Sequence, residues 1–172
     1  KNAIPILIQV LENDKQEPMV RHEAAEALGA IGEPKVKEIL EKHLKDSVKE
    51  VAETCELALG RIKWLENPEN TAEMVSKSPY FSVDPAPPAA LIEVPKLKGI
   101  LMDDNATLFD RYRAMFSLRN LRSREATVAL GEALFCGSAL FRHEVAFVLG
   151  QLQEECSVPY LEKSLADEGE NE

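Results

Sequence analysis

An eleven-residue pattern occurs four times in this chain, and this repeat limits the possible folds more than any other feature of the sequence. The copies begin at Arg21, Ala52, Arg111 and Arg142. The first and last copies match in kind or identity at seven positions, including a shared Arg-His-Glu start and a shared Leu-Gly pair. Copies lie 31 residues apart within each half, and the first and last lie 121 apart. A period of this length is typical of stacked helical repeats, and the larger spacing indicates that one half duplicates the other.

The apolar residues inside each copy have helical spacing. In the first copy, Ala24, Leu28 and Ile31 form an i, i+4, i+7 stripe, which predicts an amphipathic helix with this stripe buried. Residues 32–34 read Gly-Glu-Pro, a stop signal followed by a start signal. A second, shorter apolar stripe then runs to Leu44 and predicts a partner helix. We therefore predict an all-α chain, a solenoid of stacked helical hairpins in two duplicated halves.

Prolines divide the chain into three parts. We predict an N-terminal half at 1–66, a Pro-rich interdomain linker at 67–95 and a C-terminal half at 96–172. The linker contains six of the ten prolines: Pro68, Pro79, Pro85, Pro87, Pro88 and Pro95. Because proline has no N–H and restricts the residue before it, this segment is not expected to be helical. Its apolar residues predict that it packs against the helices: Tyr80, Phe81, Val83, Leu91 and Ile92.

Composition narrows the classes of partner. The chain has 20 Lys+Arg against 30 Asp+Glu, a net charge of −10, and so lacks the basic surface that nucleic acids require. No run approaches the roughly 18 apolar residues of a membrane-spanning helix. Three cysteines, Cys55, Cys136 and Cys156, form no C-x-x-C pair, which favours a reducing compartment and a cytoplasmic location. We expect neither a nucleic-acid partner nor a membrane.

Two of the three histidines occupy the same position of the repeat. His22 and His143 each follow an arginine and precede a glutamate, Glu23 and Glu144. At about 100° per residue, His22 is expected to point away from the stripe at Ala24, Leu28 and Ile31, towards a groove. Imidazole and carboxylate together suit iron, manganese or zinc. The remaining histidine, His43, is expected to be exposed on the partner helix.

Two interpretations of the His-Glu pairs stay open at this point. In the first, they are surface residues left by the duplication. In the second, they are metal ligands that come together from different helices, because the adjacent His and Glu side chains on one helix point in different directions. No Gly-x-Ser-x-Gly, phosphate-binding loop or His-Glu-x-x-His motif is present, which argues against hydrolase and kinase chemistry. Cys55 lies on an apolar stripe and is expected to be a core residue.

Several long segments resemble the deoxyhypusine hydroxylase family. They are PMVRHE at 18–23 with ALGAIG at 27–32, YFSVDPAPP at 80–88, DRYRAMF at 110–116, and GSALFRHE at 137–144 with LGQL at 149–152. The resemblance covers essentially the whole chain. It implies HEAT-like repeats and a monooxygenase that uses two iron ions (Fe2+) and O2 to hydroxylate the deoxyhypusine side chain of a translation factor, the last step of hypusine synthesis.

The resemblance also implies the site. The family places four His-Glu pairs around the metals, and this sequence has two of them, so the implied metal ligands are His22, Glu23, His143 and Glu144. Glu23 and Glu144 have two candidate roles, as ligands or as acceptors for the substrate's amines. The missing pairs predict a central fragment without the outer repeats, inactive alone and able to self-associate. Two alternatives remain: a metal-free HEAT-repeat protein-binding scaffold, and a HEAT-like bilin lyase.

Overall fold

The computed structural model describes residues 2–72, 80 and 82–169, and this part of the chain contains helices and no strand. It forms two compact units, residues 1–87 and 88–172. The helices of the first unit are α1 (Ile4–Glu12), α2 (Pro18–Ile31), α3 (Lys37–His43), α4 (Lys49–Glu66) and α5 (Pro68–Ala72). Those of the second are α6 (Val94–Leu101), α7 (Leu108–Leu121), α8 (Arg124–Ala133), α9 (Ala139–Leu152) and α10 (Val158–Leu165). The all-α prediction is confirmed.

In the first unit, short helices alternate with long ones. α1 packs against α2, α3 packs against α4, and the two long helices α2 and α4 pack against each other. The sequence predicted that α2 pairs with the helix after it, α3. This pairing was wrong, because α3 packs chiefly against α4, which follows it. As a consequence α2 has neighbours on two sides, α1 and α4.

In each unit, a buried arginine on the first long helix, α2 or α7, donates a hydrogen bond to the short helix before it, α1 or α6. Arg21 donates from Nε to the carbonyl of Leu11 at 2.9 Å, and Arg111 donates in the same way to Leu101 at 2.9 Å. These carbonyls lie at helix C-termini, where the last turn leaves acceptors without an intrahelical partner. The same contact at the same spacing of ten residues shows that the repeat extends from sequence to hydrogen bonding.

Three of the long helices, α2, α7 and α9, end in left-handed residues at equivalent positions of the repeat, whereas α4 ends at Asn67 in an extended conformation. α2 ends at Gly32, with φ 69°, whose N–H bonds the carbonyl of Leu28. α7 and α9 end at Arg122 and Gln153, with φ 50° and 54°. Glycine is favoured in this conformation because it has no Cβ. At Gly32 a Cβ would also lie 2.9 Å from Cδ1 of Leu65, so both backbone conformation and packing favour glycine here.

The Pro-rich segment packs on the units, but only partly through the residues expected: Tyr80 and Leu91 are half-buried. Pro68 and Pro95 lie in the first turns of α5 and α6, so the expectation of no helix was wrong at both ends, because proline is tolerated at helix starts. Ala86 is fully buried, whereas Val83 and Ile92 are 58% and 74% exposed. Phe81 and Pro79 lie outside the described residues. The boundaries of the linker at 67 and 95 stay predictions.

No helix in the described part of the chain is long and apolar enough to cross a membrane.

Candidate metal centre

His22 lies in the interface between α2 and α4, the two long helices of the first unit. Its ring is 5% exposed, and its Nδ1 lies 2.6 Å from the Oγ1 of Thr54 on α4, which is 2% exposed. The expectation that His22 points away from the core was therefore wrong. Because α2 packs on both sides, its buried face is centred roughly 90° from the predicted stripe, at about 100° per residue. Ile31, predicted to be buried, is 36% exposed.

The contacts of Thr54 determine which nitrogen of His22 carries the hydrogen. The Thr54 hydroxyl donates to the backbone carbonyl of Glu50, one turn earlier, at 2.7 Å. A hydroxyl has one hydrogen, so at its second contact Oγ1 acts as the acceptor and Nδ1–H of His22 as the donor. In the neutral ring, this arrangement leaves the lone pair on Nε2. Nε2 lies 3.9 Å from a carboxylate oxygen of Glu26, four residues along α2.

Three carboxylates surround this edge of α2. Glu23 is exposed, while Glu26 and Asp84 are half-buried. Burial raises the pKa of the Glu26 carboxyl, and the negative charges of Glu23 and Asp84 raise it further. Asp84 is held in place through its backbone, since Nη1 of Arg61 donates to its carbonyl at 3.2 Å. The first unit thus combines an oriented imidazole with a locally negative potential.

The second unit presents its His-Glu pair near the start of α9. Ser138 caps this helix by accepting from the N–H of Phe141 at 3.2 Å, and buried Phe141 and Val145 fix its rotation. His143 is exposed and Glu144 is half-buried. His143 therefore lies outside the buried face of α9, and the expectation that it lines a groove stays a prediction.

The other candidate groups have structural roles. His43, expected to be exposed, is 7% exposed, because its Nδ1 lies 2.8 Å from the carboxylate of Asp46. Burial raises the pKa of the Cys55 thiol to about 12, so this buried cysteine is a core residue as predicted. Across residues 2–72, 80 and 82–169, no three His, Cys, Asp or Glu side chains form a group able to hold a metal ion. The idea that His22 and His143 share one cleft involves two separate units and stays a prediction.

Sequence reasoning missed three residues around His22. Thr54 stands at the repeat position of Glu23, so the repeat register already placed it beside the first His-Glu pair. Glu26 follows His22 at i+4, the spacing of neighbours on a helix face. Asp84 reaches α2 through an irregular segment, and no periodicity in the sequence signals such a contact.

Comparison with known proteins agrees with this repeat architecture. Residues 1–60 match the family described as HEAT repeats, and residues 110–136 and 141–167 match the family described as PBS lyase HEAT-like repeat. Deoxyhypusine hydroxylase of Danio rerio is 57% identical over 99% of this chain and 56% of its own length. The human enzyme is 57% identical over 98% of this chain and 55% of its own length. The chain is homologous to the deoxyhypusine hydroxylases.

A solved structure supports the same relationship. The structure of human deoxyhypusine hydroxylase in complex with glycerol matches with a TM-score of 0.91 and 56% identity, over 99% of this chain and 58% of that one. The chain therefore spans a little over half the length of the deoxyhypusine hydroxylases that it matches. The segments that carried the resemblance lie within the matched region, and the HEAT-like repeat fold is confirmed.

Proposed function

We propose that this chain contributes to a deoxyhypusine monooxygenase, which hydroxylates the deoxyhypusine side chain of a translation factor with O2. The observation that carries the proposal is 57% identity to a deoxyhypusine hydroxylase over 99% of the chain. The relatives are deoxyhypusine hydroxylases, and the reaction proposed for this chain is taken from theirs. The residues of this chain must then account for binding of a metal and of a cationic substrate.

We propose His22, Glu23, His143 and Glu144 as its ligands for Fe2+. The surroundings of His22 fit a metal ion, because its Nδ1–H is directed to Thr54 and its Nε2 bears the lone pair. Metal-binding histidines almost always donate their second ring nitrogen in this way. When bound, iron supplies the O2 chemistry, for which side chains alone are not suited. Two His-Glu pairs of the four implied by the family resemblance predict weak binding by this chain alone.

The carboxylates beside His22 suit the proposed substrate. The deoxyhypusine side chain carries cationic amines, and Glu23, Glu26 and Asp84 lie close enough together to raise the pKa of the Glu26 carboxyl. A concentration of negative charge attracts and orients a cation. Glu23 thus has two candidate roles in the proposal, as a metal ligand and as an acceptor for a substrate ammonium group.

The proposal is tested with a chimera in which these 172 residues replace the matching segment of the human relative. We expect the chimera to bind iron and to form hypusine on a deoxyhypusine-bearing translation factor. His22→Ala and His143→Ala should each lower iron content and turnover. Glu56→Gln, at an exposed position of α4, is the matched control and should alter neither. A folded chimera with full iron content and turnover after both histidine substitutions would refute the ligand assignment.

The chain alone provides a second comparison. We expect little bound iron and no hydroxylation, since the imidazoles and carboxylates that it supplies are half of the implied set. Exposed Ile6 and Leu165 favour self-association, which sedimentation at several concentrations measures. We place the activity in the reducing cytoplasm, and fractionation of the source cells tests this location.

A further inference from the structure

We propose that Thr54 is a positioning residue that locks His22 as its Nδ1–H tautomer and presents Nε2 as the metal-binding atom. This inference deepens the proposed function and rests on it for the role of the metal. The contacts that carry the tautomer assignment lie within the first unit. The chemical class of the ligand is a divalent cation bound through imidazole nitrogen.

The geometry carries the first step of the argument. The Thr54 hydroxyl is 2.7 Å from the Glu50 carbonyl and 2.6 Å from Nδ1 of His22. Only one arrangement of hydrogens turns both short contacts into hydrogen bonds: the hydroxyl donates to the carbonyl, and the ring donates to the hydroxyl. The Thr54 hydroxyl therefore links the His22 ring on α2 to the backbone carbonyl of Glu50 on α4 and holds the ring in place.

Burial protects the hydrogen bonds of Thr54 and His22 from competition by water. Thr54 and His22 are 2% and 5% exposed, so water competes poorly for either group. An unsatisfied polar group in such a place is destabilising, which disfavours the opposite tautomer. The alternative ring, with hydrogen on Nε2, would leave Nδ1 competing with the Glu50 carbonyl for one hydroxyl hydrogen.

The position of Thr54 in the repeat supports a specific role. It stands 31 residues after Glu23, at the same point of the eleven-residue pattern. The second long helix thus contributes a hydroxyl where the first contributes a carboxylate, and the hydroxyl orients the imidazole next to that carboxylate. The repeat brings a ligand pair and its supporting residue together from adjacent repeats.

A matched control exists in the second unit. Thr127 on α8 is also fully buried, and its hydroxyl also donates to the carbonyl four residues earlier, that of Ser123, at 3.2 Å. Its described hydrogen bonds involve no imidazole. Thr127→Val therefore removes the same buried hydroxyl and the same backbone bond without touching His22. Thr54→Ser keeps the hydroxyl and serves as the rescue.

The test measures the ring nitrogens of His22 in the intact, metal-free chain. Two-bond 1H–15N correlation spectra of 15N-histidine protein at neutral pH distinguish the two tautomers, with signals assigned from a His22→Gln variant. We expect the Nδ1–H tautomer in the unchanged chain and in Thr54→Ser and Thr127→Val. Thr54→Val should lose it in favour of Nε2–H, which histidine prefers in water. Nε2–H in the unchanged chain, or an unchanged spectrum in Thr54→Val, would overturn the proposal.

A second measurement separates this inference from the proposed function. Co2+ added to the chain should perturb the Nε2 signal of His22 more strongly than the Nδ1 signal, and Thr54→Val should weaken Co2+ binding about 10–100-fold. A changed tautomer with unchanged Co2+ affinity would refute the positioning role. Absence of Co2+ binding in the unchanged chain would refute the metal site proposed for this chain, and the tautomer spectrum would still decide whether Thr54 locks His22.

Discussion

Replacing Asp46 with asparagine should destabilise the protein far more than the same change at Asp104, an exposed carboxylate that pairs with Arg111 in the second unit. The Asp46 side chain is 6% exposed and receives two hydrogen bonds from Arg21, at 3.1 and 2.5 Å. It also receives one from His43 at 2.8 Å and one from the N–H of Val48 at 3.0 Å. Burial alone would raise the pKa of this carboxyl, but these bonds lower it to about 2.

The magnitude follows from this pKa. Lowering it from 3.8 to about 2 corresponds to a contribution of about 2 kcal/mol at neutral pH, at about 1.4 kcal/mol per pKa unit. Asp46→Asn also leaves the Arg21 guanidinium, 3% exposed, without its buried counter-charge. Breaking a buried pair from one side typically costs about 3–5 kcal/mol. We therefore expect a loss of about 3 kcal/mol in the free energy of unfolding.

Asp104 offers the control, since Arg111 pairs with it at 3.1 Å but its side chain is 77% exposed. Asp104→Asn should cost under about 1 kcal/mol, as exposed ion pairs do. Urea unfolding is followed by fluorescence of Trp64, the sole tryptophan, which reports on the first unit, and by far-UV circular dichroism. Equal destabilisation by the two substitutions would refute the argument from burial.

The pH dependence gives an independent check with a defined sign. Because the folded-state pKa of Asp46 lies below the unfolded value, its contribution is complete above about pH 4. It is lost as the pH falls from 3.8 through about 2. The stability difference between the unchanged chain and Asp46→Asn should therefore be constant from pH 7 to 5 and shrink below pH 4. A difference that grows on acidification would contradict the assignment.

Three further predictions follow from burial and packing. His22→Ala should destabilise the chain by about 1–3 kcal/mol, because it breaks a buried hydrogen bond. His143→Ala should change stability by less than about 0.5 kcal/mol. The midpoints of urea unfolding of the two variants test this difference. Gly29→Ala should be destabilising, because its Cβ would lie 2.7 Å from the Cβ of Ala58. Gly150→Ala, whose Cβ would have nothing within 4 Å, should stabilise by up to about 1 kcal/mol. Equal shifts in the melting temperatures of the two variants would contradict this prediction. Cys55, with its pKa raised to about 12, should resist iodoacetamide at pH 7.5 while half-buried Cys156 reacts, and labelling of Cys55 as early as Cys156 in mass spectra would refute its burial.

The repeat in the sequence predicts the helical fold but not the rotation of each helix. Apolar spacing at Ala24 and Leu28 correctly indicates a buried stripe, and both residues are at most 3% exposed. The same stripe wrongly includes Ile31, because periodicity marks one apolar face. A helix between two neighbours has a second buried face that accepts polar residues, here Arg21 and His22.

Polar contacts across the fold explain the other errors. His43 is buried because Asp46 accepts its ring hydrogen, a pairing that i+3 spacing permits but does not require. Asp84 comes close to Glu26 through an irregular, Pro-containing path. Sequence patterns describe neighbours along a helix or a repeat, whereas the approach of Asp84 to Glu26 depends on the path of a loop.

The two His-Glu pairs show why identical positions in a repeat do not have identical chemistry. α4 covers His22 and supplies the hydroxyl of Thr54 to its ring, whereas α9 packs against α7 and α8 and leaves His143 exposed. The hydrogen-bond partner of the His22 ring at Nδ1 therefore comes from the following repeat, and not from the helix that bears His22. A residue such as Thr54, which looks like a lost member of a His-Glu pair when repeats are aligned, is then a supporting residue for the preceding pair.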